Sequence, residues 1–270
     1  MTARRIVTLL TDFGTQDTFA GQLKGAALAI HPHLEIVDLT HEVPPHDVAA
    51  GGYLLATGCA AFPQGTIHVA VVDPGVGSAR RGLVVRTHRY FFIAPDNGIL
   101  TRVLEEEPAE AAHVLEAVHL RKSPVSATFE GRDIFAPAAA WVARGTELHH
   151  FGPPAGTLVK LDLARPAIRA LSPLKVRVLA IDRFGNAVLD LSRRDLAPLL
   201  GEGAPPPPIR VEAPGGSVTT LLRTYAEAEP GHRFLVFNSA DHLEIATKEA
   251  RAAEALGLKP GTEVTVTVGG

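Results

Sequence analysis

Short apolar runs alternate with helical patterns along the first third of this chain, and that alternation narrows the available folds more than any other feature. Strand-like runs at Ile6–Thr11, Leu34–Leu39, Thr66–Val72 and Leu83–Thr87 enclose helical patterns at about Thr18–Ile30 and Asp47–Ala60. Parallel strands need a long crossover between them, usually a helix, so the pattern predicts an α/β N-terminal domain with a mostly parallel sheet. Two further apolar runs, Tyr90–Ala94 and His113–His119, flank a helical segment from Gly98, and Arg132–Ala143 reads as an alanine-rich helix.

After Arg165 and Pro166 the period shortens to two. Lys175–Ile181 and Ala187–Leu191 flank the turn Asp182-Arg183-Phe184-Gly185-Asn186, a hairpin signature. Ile209–Glu212, Ser217–Leu222, Arg233–Asn238, Leu243–Ala246 and Glu263–Val268 continue as short strands, with turn-rich joins such as Pro205–Pro208. The expected organisation is an α/β domain over 1–165 and a small C-terminal β-barrel domain over 166–270. A chain of 270 residues that is 46% hydrophobic can fill both cores.

Charge and composition exclude several classes. The formal net charge is −3 and no basic block is present, so no nucleic-acid partner is expected. The stretch Val48–Val72 lacks charge, but Gly51, Gly52, Pro63 and Gly65 interrupt it, which predicts buried core and no membrane span. Cys59 is the only cysteine and no signal-peptide pattern opens the chain, so a cytoplasmic location is expected. The twelve histidines, with His31 near His33 and His149 beside His150, form no HExxH or cysteine–histidine set, so no metal is expected. Gly75-Val76-Gly77 matches neither a Walker A loop nor a dinucleotide fingerprint. Phe135 and Trp141, in the alanine-rich helix, read as packing residues.

Ligands of open α/β sheets sit beyond the carboxyl ends of the strands, and two acidic residues stand there. Asp12 closes the first strand, in Thr11-Asp12-Phe13-Gly14-Thr15-Gln16-Asp17, and Asp73 closes another, in Val72-Asp73-Pro74-Gly75-Val76-Gly77-Ser78. Either alone equally suits a turn before Gly or Pro. Together they point to a site.

Six blocks in order, TDFGTQDTFAGQLKG, VVDPGVGSARR, IAPDNGIL, TFEGRDIFAPAAA, DRFGNAVLDL and FNSADHLEIA, carry a resemblance that runs from about residue 6 to the C-terminus. The chain resembles the S-adenosylmethionine hydroxide adenosyltransferases, relatives of fluorinase and chlorinase. That resemblance implies hydrolysis of S-adenosyl-L-methionine to adenosine and L-methionine without a cofactor. It also implies a homotrimer whose sites lie between the N-terminal domain of one subunit and the barrel of its neighbour. By the same resemblance Asp12 binds the ribose hydroxyls, Asp17 and Ser239 the methionine end, and Phe184 and Asn186 the adenine. Asp73 and Arg80 match the residues associated with the nucleophilic water, and Glu130 stands where the hydrolytic members carry the histidine of that set. Ala240, Asp241 and His242 also depart from the arginine or aromatic side chains of some relatives. Two other readings follow from these residues: a non-catalytic binder of S-adenosylmethionine or adenosine, suggested by Glu130, and a halogenase, against which the charge of Asp73 counts because it repels a halide.

Overall fold

A computed structural model describes residues 5–163, 168–200 and 207–269. The chain divides into two units, Met1–Asp162 and Leu163–Gly270. The expected boundary at Arg165 and Pro166, and Pro205 and Pro206 of the proline run, lie outside the described residues.

The first unit runs β1 (Ile6–Thr11), α1 (Phe19–Ile30), β2 (Glu35–Thr40), α2 (Val48–Cys59), β3 (Ile67–Val71), β4 (Gly82–Arg86), β5 (Phe91–Pro95), α3 (Thr101–Glu106), β6 (Ala111–Val114) and α4 (Ala136–Ala143). Its six strands lie in the order β2-β1-β3-β5-β4-β6. The β1–β2, β1–β3 and β3–β5 pairs are parallel, whereas β4 runs antiparallel to both β5 and β6. The reason for β4 is local: a tight turn, with the Thr87 N–H donating to the Tyr90 carbonyl at 2.9 Å, joins it to β5 and leaves no room for a crossover.

Both faces of the sheet are covered. Val7, Leu9, Ile67, Val69 and Val71 pack with Leu23 and Ala27 of α1 and the alanines of α4, while Leu10, Ala70 and Val72 pack with Ala50 and Leu55 of α2. The uncharged stretch Val48–Val72 is thus core, and among the described residues no helix is long and apolar enough to cross a membrane. Phe135 is fully buried and Trp141 packs against the same core. The segment read as one helix from Arg132 is instead a π-helical turn, Gly131–Phe135, leading into α4. Pro137 explains it, having no N–H with which to continue an ordinary helix backwards. The His113–His119 run is strand only to Val114, and Val118–Leu120 forms a 3₁₀ turn.

The second unit runs β7 (Leu174–Ile181), β8 (Ala187–Ser192), α5 (Arg193–Leu200), β9 (Ile209–Ala213), β10 (Gly216–Val218), β11 (Arg233–Phe237), β12 (His242–Thr247), α6 (Ala252–Leu256) and β13 (Glu263–Val268). All seven strands pair antiparallel in the order β10-β9-β13-β7-β8-β12-β11. The Ser217–Leu222 run divides: its start pairs with β9, and then Leu222 N–H donates to the Leu235 carbonyl at 2.9 Å while Leu235 N–H donates to that of Thr220 at 2.7 Å. The sheet is barrel-like and nearly closed. Two short helices were not expected from the pattern, α5 and α6. A capping box starts α5, in which the Asp195 N–H meets Ser192 Oγ at 3.2 Å and the Ser192 N–H meets Asp195 Oδ2 at 2.8 Å. Gly257, left-handed at φ 67°, ends α6.

His68, on β3, carries a pH-dependent part of the stability. It is buried against Phe92, Tyr90 and Phe62, with Nδ1 2.7 Å from Thr8 Oγ1, and burial pushes its imidazole down to about 3. The unfolded chain, with an ordinary histidine near 6.5, takes up a proton there that the folded chain excludes. Stability present above about pH 6.5 is therefore lost progressively as pH falls towards 3, by about 2 kcal/mol between pH 7 and pH 5 from this residue alone. Urea unfolding at the two pH values is expected to show that loss in the wild type, and His68→Phe is expected to remove it.

Candidate active site

Because β1, β3 and β5 are parallel, their carboxyl ends share one edge of the sheet, and the register that pairs Thr11 with Val71 brings Asp12 and Asp73 out at that edge. Asn97, just past β5, ties this edge together by donating its side-chain amide to the Val72 carbonyl at 2.8 Å. Asp96 beside it is held by Arg81 and by the Val159 N–H at 2.8 Å, so the partly exposed Arg81 clips this edge together.

Beneath Asp12 lies a polar relay. Thr11 Oγ1 is 2.8 Å from His41 Nδ1, His41 Nε2 is 3.1 Å from Asp38 Oδ1, and Lys24 donates to Asp38 Oδ2 at 2.6 Å. Burial raises the Asp38 carboxyl, but Lys24 and His41 outweigh it and hold it below its ordinary value. Asp12 itself is largely buried and accepts the backbone N–H of His46 at 2.9 Å. Asp17 is exposed, and its carboxylate accepts the Phe19 N–H at 2.9 Å at the start of α1.

Asp73 is 4% exposed, Arg80 12% and Glu130 15%, and the guanidinium of Arg80 joins the two carboxylates. Arg80 Nε donates to Asp73 Oδ1 at 3.0 Å and Oδ2 at 2.8 Å; Nη2 donates both to Asp73 Oδ2 and to Glu130 Oε2. The Gly75 N–H adds a bond to Asp73 Oδ1 at 3.2 Å. Three N–H groups thus serve the Asp73 carboxylate, the single Nε–H being shared between its two oxygens. Glu130 meets one, and among the described residues no donor is recorded for Oε1. The Arg80 guanidinium also lies 5.2 Å from the Phe135 ring centroid.

Two devices hold Glu130 in place. Asp133, fully buried, accepts the Ser126 N–H at 2.8 Å and is paired by Arg132; burial raises its carboxyl, but Arg132, Ser126 and Lys122 bring it down. The rings of Phe13, Phe19 and Phe129 meet edge to face at 5.1 to 6.0 Å, tying the segment after Asp12 to the one before Glu130. Gly77, at φ 76°, lets its loop press on the same segment: a Cβ there would stand 2.3 Å from the Ala127 carbonyl oxygen. The aromatic trio and Asp133 escaped the sequence reading, although Phe13 and Phe129 each adjoin a candidate residue.

In the second unit Asp182 organises the β7–β8 turn, accepting the N–H of Phe184 at 2.9 Å and of Asn186 at 2.8 Å. Phe184 is 74% exposed and Asn186 is buried. Ser239 is exposed on the β11–β12 turn, where Asn238 Oδ1 accepts the N–H groups of Ala240 and His242. Arg80 therefore joins Asp73 and Glu130 in the first unit, where Asp12 follows β1 at the same sheet edge and Asp17 is exposed, and Phe184, Asn186 and Ser239 belong to the second. Among the described residues no group of three or more His, Cys, Asp or Glu is placed to hold a metal.

The model for the S-adenosylmethionine hydroxide adenosyltransferase N-terminal domain matches residues 7–152, and that for the C-terminal domain residues 176–265. The chain is 38% identical over 269 residues to a protein of Thermus thermophilus named (R)-S-adenosyl-L-methionine hydrolase, covering 96% of this chain and 98% of that one. A protein of the same name from Salinispora tropica is 36% identical over 272 residues, covering 97% and 98%. The crystal structure of an uncharacterised conserved protein from Thermotoga maritima superposes with a TM-score of 0.86 at 30% identity, over 97% of this chain and 99% of that one.

The ion cluster is expected to be costly to break from one side. Arg80→Ala leaves two neighbouring, nearly buried carboxylates without their shared cation, and a loss of about 3–5 kcal/mol in denaturant unfolding is expected. Adding Asp73→Asn to Arg80→Ala is expected to recover part of that loss, as a double-mutant cycle will show.

Proposed function

We propose that this chain, which belongs to the S-adenosylmethionine hydroxide adenosyltransferase family, hydrolyses S-adenosyl-L-methionine to adenosine and L-methionine by in-line attack of water at ribose C5′. The relatives' name specifies the (R) configuration, and the same sulfonium epimer is the preferred substrate here. The observation that carries the reading is the Asp73–Arg80–Glu130 cluster at the carboxyl edge of the parallel strands, the edge at which Asp12 also emerges.

The chemistry asks for little beyond placement. Sulfur leaves as a neutral thioether, so the leaving group needs no acid, and because the substrate already carries the activating charge no metal or cofactor is required. Forming hydroxide first is out of reach: water at 15.7 and an ordinary carboxyl near 4 differ by about 12 units, or about 16 kcal/mol. As oxygen bonds to carbon it becomes acidic, and the proton passes late to a carboxylate that has been holding the water in line. Glu130 is better suited to that contact than Asp73, since among the described residues Arg80 meets only its Oε2, while Arg80 and Gly75 engage both Asp73 oxygens. Arg80 then balances the two carboxylates, and their remaining negative charge attracts the sulfonium and repels a halide nucleophile.

Asp12 accepts the two ribose hydroxyls; Asp17 and Ser239 hold the methionine end; Phe184 and Asn186 enclose the adenine. As the family resemblance implies, the working form is a homotrimer in which a neighbouring subunit's C-terminal unit completes each site. The C-terminal unit acts there as a closed barrel. The substrate is an intracellular metabolite and Cys59 is a buried free thiol, which suits the cytoplasm.

Chromatography of the purified protein with S-adenosylmethionine is expected to yield adenosine and methionine in equal amounts. Glu130→Gln, which keeps the shape and loses the proton acceptor, is expected to lower kcat about 10²-fold with KM within a few-fold. A wild type that binds substrate without turnover, and gains activity on Glu130→His, would instead identify a binder. Asp12→Ala is expected to weaken substrate binding by about 1.5–3 kcal/mol in calorimetry, the worth of a charged acceptor.

A further inference from the structure

A concavity of about 470 Å³ opens between α1 and α4, and the reaction above leaves it unused. Sites for small organic ligands run from about 300 to 1,000 Å³, so a molecule of one to three rings fits. The helices leave this space for a reason legible in their residues. Gly25 and Ala29 stand four apart on α1, and Pro137 and Trp141 four apart on α4, so each pair shares one helix face. The small pair leaves room that the large pair walls. A Cβ at Gly25 would meet nothing within 4 Å. With Ala26 and Ile30 these residues make an apolar floor.

The rim above that floor is cationic. Arg121, Lys122 and Arg132 line it, and among the described residues none of the lining groups is acidic. The one carboxylate paired with any of the three is Asp133, fully buried behind them. Arg132 is already employed: Nε and Nη2 donate to the Asp133 oxygens at 2.6 and 2.8 Å, and Nη1 donates to Gln22 Oε1 at 2.9 Å. Lys122 stands 3.7 Å from Asp133, on the oxygen that Arg132 holds more closely, and its side chain is half exposed. Arg121 has no carboxylate among the described residues. Its Nη2 donates to the Leu115 carbonyl, and its enclosed Nε has no acceptor there. A carbonyl fixes a guanidinium without neutralising it, and a charge kept partly buried in that way is unfavourable until an anion joins it.

We infer that this concavity is a binding site for a small aryl acid, a flat apolar body bearing one anionic group. The body lies against Ala26, Pro137 and Trp141, and the anion is taken by Arg121 and Lys122. Each half of the site selects against a different competitor. A neutral molecule of the same shape leaves both cations without a counter-charge, and an inorganic anion leaves the apolar floor wet. Only a ligand with both parts answers both surfaces. The inference is independent of the proposed reaction, since none of these residues takes part in it.

The test uses the full chain with two dyes, anilinonaphthalene sulfonate and phenylnaphthylamine, which share the apolar body and differ by the sulfonate. Trp141 is the only tryptophan, so quenching of its emission follows the dye. The wild type is expected to bind the sulfonate dye saturably, at least about tenfold more tightly than the neutral one. Arg121→Gln is expected to weaken the sulfonate dye about tenfold and Lys122→Gln about threefold, each leaving the neutral dye within about two-fold. Loss of packing would weaken both dyes alike. Lys122→Gln, at an exposed position, decides the matter should Arg121→Gln not fold. Gly25→Leu, which suits a helix better than glycine and projects into open space, is expected to weaken both dyes at least about tenfold. Equal affinity for the two dyes, sulfonate binding that survives Gly25→Leu or both charge variants, or displacement of the dye by saturating adenosine overturns the inference. Sulfonate binding that persists under saturating adenosine and is lost in Gly25→Leu supports it, whatever the chain does with S-adenosylmethionine.

Discussion

Because parallel strands cannot be joined by a tight turn, pairing β1 with both β2 and β3 obliges the chain to run α1 and α2 between successive strands. Each strand of the β1, β3 and β5 set then delivers its carboxyl end to one edge. The connection from β3 to β5 is different in kind. It passes through β4, which is antiparallel to β5 and begins opposite Pro95, so the loop from Val72 to Arg81 starts and finishes on that same edge. Had β4 been a third parallel neighbour, the loop would have crossed to the far side of the sheet and carried Arg80 away from Asp73. The reversal of one strand is what lets these two side chains meet.

The cluster they form is stable only as a unit. Two carboxylates and one guanidinium, all nearly buried, come from segments fifty residues apart in the chain. Removing water strengthens every attraction within the group and raises the cost of leaving any member unpaired. The fold supplies the missing support through Asp133, the trio of phenylalanines and the docking of the Gly77 loop. Such support is what holds a reactive group to within the fraction of an ångström that in-line attack demands.

Much of this was legible in the sequence, and the gaps have identifiable causes. The alternation of periods marked the helices, most strands and the β7–β8 hairpin, and Asp12 and Asp73 were visible as acids closing strands. Strand direction was not, because a run such as Leu83–Thr87 carries no record of its partner; only the shortness of the Thr87–Tyr90 link betrays the antiparallel return. The helix α5 had a readable signal in Ser192-x-x-Asp195, which the strand pattern before it masked. The π-helical turn depends on Pro137 acting within a helical pattern that otherwise continues unbroken.

Gly77 and Glu130 touch the same stretch of backbone in contrasting ways. At position 77 any side chain would have to displace the Ala127 carbonyl, and the segment bearing Glu130 would move with it. At position 130 the side chain hangs from a backbone already fixed by Asp133 and the aromatic trio, with Oε2 bound by Arg80. Exchanging the group at 130 therefore changes the partner of the Arg80 guanidinium without touching the approach of Gly77 to Ala127. The glycine fixes where that backbone lies, and position 130 decides only which side chain it presents to Arg80.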